Sequence, residues 1–193
     1  LSADTPNAAI REYERIRATS PAGLSDAQEY GLALARMQAN QPAVAATGLA
    51  ALLLKHPDSL WVALALGEAE SRSGKTTAAN QRFTALQRQF HDNRALALTF
   101  AQVLNEQGSR ESGQRAQAVL RPLLGNAGND PFFQKNFARA NELAGDLARA
   151  GEAYAEAAFL NGRPEQALIQ LQNLKKREDL DYYARARVDA RIA

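Results

Sequence analysis

The side chains able to bind a metal or move a proton are few. His56 and His91 are the two histidines of the chain, and each sits beside an aspartate, at His56-Pro57-Asp58 and His91-Asp92. A zinc site preorganised on a helix needs two histidines one turn apart with a carboxylate between them to act as base. These histidines are 35 positions apart. His56, His91, Asp58 and Asp92 are therefore expected to be solvated turn residues, and only the stacking of successive turns would join them as ligands. The carboxylate pairs Glu68/Glu70 and Asp179/Asp181 are expected on solvated faces rather than as general acid and base. There is no H-E-x-x-H, no G-x-S-x-G, no P-loop and no G-x-G-x-x-G. Absence of cysteine excludes a disulfide framework and a thiolate metal site. Neither catalysis nor a cofactor is expected from this chain.

What remains is a surface and the elements that present it. The stretch Trp61 to Phe83 predicts two short helices joined by a tight turn. Leu60, Leu64 and Gly67 fall along one side of the first helix, and Ala79 and Phe83 lie one turn apart on the second. Gly67 lets two backbones approach, and Gly74 accepts the left-handed angles that end a helix. Leu66-Gly67, Ala79-x3-Phe83 and the preceding Pro57 resemble the signature of the 34-residue tetratricopeptide repeat. The features return at that period. Asn40 and Gly108 stand 34 residues on either side of Gly74, and Leu32, Ala33, Ala45 and Leu49 stand 34 before Leu66, Gly67, Ala79 and Phe83.

Composition agrees with an all-α class. Of 193 residues, 46% are hydrophobic and only 7% aromatic, which suits helices packed through alanine and disfavours a β-sandwich. The 23 basic and 21 acidic residues are interspersed, and the longest basic run is Lys175-Lys176-Arg177. A one-signed patch for nucleic acid is missing, so nucleic acid is not an expected partner despite a pI of about 9.1. No apolar run reaches the length of a membrane span. The chain begins at Leu1 with no basic-then-apolar leader, and is expected to be a processed form or a piece of a larger protein.

In chain order, residues 1–24 read as a lead-in and an N-terminal helix. Asn7 is the expected cap, and Ile10, Tyr13, Glu14 and Arg17 are at helical spacing. Residues 25–193 read as the repeat domain, with repeats near 26–59, 60–93, 94–130 and 131–164 and closing helices over 164–193. Repeat one buries Val44, Leu49, Leu52 and Leu53 on its second helix. In repeat three, Ser109 to Gly113 predicts a polar turn carrying three extra residues, with Ala116 the first alanine to resume the pattern. Gly145 and Gly162 mark the later turns, so the helix from Leu147 to Leu160 serves two hairpins. Asp179 to Ile192 predicts a terminal capping helix carrying Arg185, Arg187 and Arg191.

The repeat resemblance implies a superhelix of antiparallel helix pairs whose first helices line a concave groove that binds protein or peptide. Its lining falls on Tyr30, Leu34, Met37 and Gln38 in repeat one and on Trp61, Leu64, Glu68, Ser71 and Arg72 in repeat two. Repeat three supplies Leu98, Gln102, Asn105 and Glu106, and repeat four Phe132, Lys135, Arg139 and Glu142. Trp61 has a competing place, buried between repeats.

YGLALARMQANQPAVAA (Tyr30 to Ala46), LLLKHPDSLWV, AYAEAAFLNGRPEQALIQL (Ala153 to Leu171) and DYYARARVDARI together resemble the C-terminal tetratricopeptide domain of periplasmic zinc metallopeptidases of the BepA type. That resemblance implies an upstream peptidase domain holding the zinc and a periplasmic address at the outer membrane. The implied partners are components of the β-barrel assembly machinery, their substrates and the attached peptidase domain. This chain lacks the peptidase motif, so no catalytic or metal residue transfers to it. Two other classes fit the same residues: a stand-alone envelope adaptor with no enzyme attached, and an RNA-binding helical repeat.

Overall fold

Five positions take left-handed or near-left-handed backbone angles where the repeat spacing asks for a reversal: Asn40 (φ 57°), Gly74 (86°), Gly108 (72°), Gly145 (90°) and Gly162 (73°). A side chain makes this region costly, and asparagine tolerates it best among the others. At four of the five, the amide after the left-handed residue reaches back across the helix end. Gln41 donates to the Arg36 carbonyl, Lys75 to Glu70 and Asp146 to Asn141 (each 2.8 Å), and Arg163 to Ala158 (3.0 Å). These bonds satisfy helix-terminal carbonyls that otherwise lack partners.

The computed structural model describes residues 5–192, and every regular element among them is helical. It divides into two compact units, Leu1–His91 and Asp92–Ala193. The first holds α1 (Pro6–Thr19), α2 (Asp26–Gln38), α3 (Pro42–Lys55), α4 (Leu60–Arg72) and α5 (Thr76–Gln89). The second holds α6 (Arg94–Gln107), α7 (Arg110–Leu120), a 3-10 turn (Arg121–Leu123), α8 (Leu124–Ala127), α9 (Pro131–Ala144), α10 (Leu147–Leu160), α11 (Pro164–Lys175) and α12 (Tyr182–Ile192).

In the first unit each helix packs on the next, and α4 also touches α2. Ser25 and Gln28 close a capping box at the start of α2. Ala33, Ala45, Ala46, Leu49, Leu66 and Ala69 belong to one core cluster. Gly67 faces the ring of Phe83, and a Cβ there would lie 2.6 Å from a ring carbon. The small residue at the crossing is thus required by contact. The α1 helix packs on α2 through Ile10. It is capped by Thr5, whose hydroxyl accepts from Ala8 (3.2 Å), rather than by Asn7. Pro6 explains the shift, because its missing N–H suits the first helical position. Of the expected lead-in, residues 1–4 lie outside the described residues. Val44 is 47% exposed, contrary to expectation. Ala45 faces the core, and a neighbour one residue along an α-helix points about 100° away.

In the second unit α6 packs on α7 and α9, α7 on α9, and α9 to α12 each on the next, with α10 also touching α12. The extra residues of repeat three are not in the segment from Ser109 to Gly113. Ser109 and Ser112 form a capping box that starts α7 at Arg110. The next helix therefore begins two residues after the left-handed position, as it does at Pro42, Thr76, Leu147 and Pro164. Gly113 stands 34 residues after Ala79 and is the small residue the pattern wants. A Cβ on it would meet the Leu143 Cβ at 2.5 Å and the Ala144 nitrogen at 2.8 Å on α9. The insertion lies later, where Pro122 ends α7 and the 3-10 turn and α8 intervene before the Asp130 cap.

The terminal helix begins at Tyr182 rather than Asp179, with the Asp181 carboxylate accepting from the Ala184 amide (2.6 Å). It docks through Val188, fully buried, and through Arg187, whose Nη2 lies 2.8 Å from the Glu152 carboxylate of α10. Arg191 pairs with Glu156, and Asp189 with Lys175 (2.7 Å).

Two substitutions test this packing. Gly67→Leu is expected to destabilise the first unit by about 1–3 kcal/mol through overpacking against Phe83, read as a lowered urea midpoint by circular dichroism. Arg187→Ala leaves the 8%-exposed Glu152 without its counter-charge. Discounted for the exposure of Arg187, a loss of about 2 kcal/mol is expected in the same measurement, and an unchanged midpoint would show that the pair does not hold α12.

Candidate functional site

The expected groove residues separate by burial. Met37 (6% exposed) and Leu64 (4%) are core residues. Both are removed from the lining for one reason: α2 and α4 are covered on more than one side, and every residue from Val62 to Gly67 is buried. Trp61 is 65% exposed, on the first turn of α4, which excludes its competing place between repeats. Leu34, Gln38 and Arg72 are exposed, while Tyr30, Glu68 and Ser71 are half-buried. Burial, with the Glu68 carboxylate second, pushes the Tyr30 phenol above its ordinary range.

In the second unit Leu98 is half-buried, and six expected residues, Glu106 among them, meet in one place. Gln102 and Asn105 on α6 and Phe132, Lys135 and Arg139 on α9 border a pocket of about 410 Å³, with Glu106 and Asn136. The helix spacing accounts for this, since Phe132, Lys135 and Arg139 follow one another at three and four residues along α9. Phe132 is 48% exposed, while the adjacent Phe133 is buried and stacks on Phe137 (centroids 5.7 Å apart). Alternate residues of one helix thus build the core and the rim.

The floor of this pocket is made of amides. Asn105 is 7% exposed, and its Nδ2 donates to the Asn136 carbonyl (2.9 Å), while Asn136 donates to the Phe132 carbonyl (3.0 Å). The Asn105 Oδ1 atom is buried and accepts nothing among the described residues. A buried carbonyl left in that state is destabilising by about 1–3 kcal/mol until a donor reaches it. Lys135 stands at the rim with no ion partner among the described residues. Arg139 Nη1 lies 2.8 Å from Glu142, whose same oxygen accepts from the Tyr154 hydroxyl (3.0 Å). Arg139, first, and Tyr154 hold the Glu142 carboxyl below its usual range. Burial, then the Glu142 carboxylate, raises the Tyr154 phenol to about 12.

Sequence reasoning missed Asn136 and Tyr154. The signal for Asn136 was an amide where the spacing of Phe133 and Phe137 calls for an apolar residue. Tyr154 falls inside the expected helix from Leu147 to Leu160, where nothing in the spacing singles it out. His56 partners Asp26 (2.8 Å), which also takes Lys55 (2.9 Å). Among the described residues no group of three or more His, Asp or Glu is placed to hold a metal.

The fold defines an all-α protein whose helices pack against neighbours, with no helix among the described residues long and apolar enough to cross a membrane. Compared with known protein families and with curated proteins, the chain matches none.

The Tyr154 contact can be read by titration. A phenol whose folded pKa exceeds its unfolded value contributes stability that is present below about 10 and lost as the pH rises through about 12. In phenolate absorbance, one step near 12 is expected, and Glu142→Ala should bring it down towards the ordinary tyrosine range. A step unmoved by the substitution would break the link between the two groups.

Proposed function

We propose that the chain is a protein-docking domain of the tetratricopeptide type and that the α6–α9 pocket of its second unit receives an extended segment of a partner polypeptide. The observation carrying this reading is the unpartnered, buried Asn105 Oδ1 at a pocket rimmed by an exposed phenylalanine and a free lysine. A main-chain N–H of an extended segment supplies the missing donor, Phe132 supplies apolar contact, and Lys135 selects acidic neighbours. The repeat assignment is supported by left-handed residues at 34-residue intervals, at Asn40, Gly74 and Gly108, and by small residues at the helix crossings.

The wider setting rests on the residues quoted for the resemblance. In it, this domain belongs to a periplasmic zinc metallopeptidase of the BepA type and tethers the enzyme to the β-barrel assembly machinery of the outer membrane. The zinc and the catalytic groups belong to the peptidase domain.

The test uses the immobilised chain and detergent-solubilised assembly complex. Retention is expected with the unsubstituted chain and at least about tenfold weaker with Phe132→Ala combined with Lys135→Glu, both of which leave the core intact. Equal retention by both would move the docking face elsewhere, and no retention by either would remove the outer-membrane setting.

A further inference from the structure

A second pocket of the same unit, of about 430 Å³, opens on the other side of the Arg139–Glu142 pair. Glu142 of α9, Leu147, Ala150 and Tyr154 of α10, and Gln170 and Leu174 of α11 border it. Gly151 belongs to the same wall, and there a Cβ would lie 2.9 Å from the Leu174 side chain, which fills the space beside the glycine.

The polar inventory of this pocket is lopsided. The Gln170 Oε1 atom is buried and unpartnered among the described residues. Glu142 takes both Arg139 and Tyr154 on its Oε2, and its Oε1 has no hydrogen bond among the described residues. Of the cations nearby, Arg177 is forked onto Asp179 (2.9 and 2.6 Å) and Arg139 is bound to Glu142. Two acceptor oxygens, one of them on a carboxylate, are therefore without a donor among the described residues, while Arg139 and Arg177 each already hold a carboxylate. An anion would find no uncommitted cation to receive it. A neutral amide would satisfy one acceptor and leave the carboxylate oxygen unmet. A guanidinium presents a planar fork of donors able to serve a carboxylate and a carbonyl together. Its methylene stem suits the apolar wall of Leu147, Ala150 and Leu174.

We infer that this pocket is a subsite for an arginine side chain carried by the docked segment, with Glu142 and Gln170 receiving the guanidinium. The inference rests on the docking reading above and adds a preference to it. The α9 ridge then separates a rim that favours acidic residues, at Lys135, from a pocket that selects a basic one. A partner segment is read by the order of its charges as it crosses the ridge.

The experiment uses the whole isotopically labelled chain and two probes, Nα-acetyl-arginine N-methylamide and its citrulline counterpart, which keeps the shape and loses the charge. The arginine probe is expected to shift the Gln170 side-chain amide and the backbone amides around Gly151 in a saturable way. The citrulline probe should bind about tenfold more weakly. Glu142→Gln and, separately, Gln170→Leu should each weaken the arginine probe, and Lys135→Glu should not. Equal binding of the two probes, or shifts confined to residues outside this pocket, overturns the subsite. A flat arginine titration with partner retention intact removes the subsite and leaves the docking reading standing. A saturable titration at these residues supports the subsite even where retention proves indifferent to Phe132 and Lys135, in which case the docking reading alone falls.

Discussion

Close approach of helix backbones through residues without bulk is the constraint on which the packing depends. At Gly67 the ring of Phe83 occupies the space a Cβ would need, and at Gly113 the backbone of α9 does. Ala45 and Ala79 are fully buried at the equivalent places of α3 and α5. Where helices meet this closely, dispersion contacts are dense and the crossing tolerates little change in volume. Phe83, Phe100 and Phe133 are the largest fully buried groups. At Gly67 the absent side chain is matched by a large one, the ring of Phe83.

That arrangement explains what could be read from the residues. Turns were legible because a left-handed backbone needs glycine or asparagine, and the structure puts one at each expected position from Asn40 to Gly162. Ser109 to Gly113 was misread because serine and glycine favour turns as well as helix starts and close crossings. Only the presence of α9 decides between those roles. Val44 failed because it stands one residue from Ala45, the position that faces the core, and Leu64 failed for a different reason. Periodicity says which residues share a face, but it does not say how many faces neighbouring helices will cover. The α4 helix is covered so widely that its spacing carries little information.

The candidate site was partly legible for the same reason. Phe132, Lys135 and Arg139 follow from helical spacing alone, and their exposure agrees with it. Asn105 was named as a groove residue, yet its significance lies in a buried oxygen without a donor, which no spacing reveals. The amides of α9 and its neighbours form a consistent group: Gln117 donates to Asn141 (2.7 Å), Asn141 to the Phe137 carbonyl (2.6 Å) and Gln134 to the Gly128 carbonyl (2.8 Å). The Gln117–Asn141 bond joins α7 to α9, and a satisfied amide pair of this kind fixes one rotation of a helix among several that apolar packing alone would permit. The rim residues of α9 are held at a defined angle by bonds made on its buried side.

The contact pattern within each unit bears on how the protein acquires its structure. Helices touch partners close to them in the chain, so few contacts must wait for distant segments to meet, and closing entropy stays small. Within each unit the chain can order itself vectorially, each helix settling onto the one before it while later residues are still being made. Deletion of a terminal helix would then expose one raw apolar surface rather than dissolve a shared nucleus.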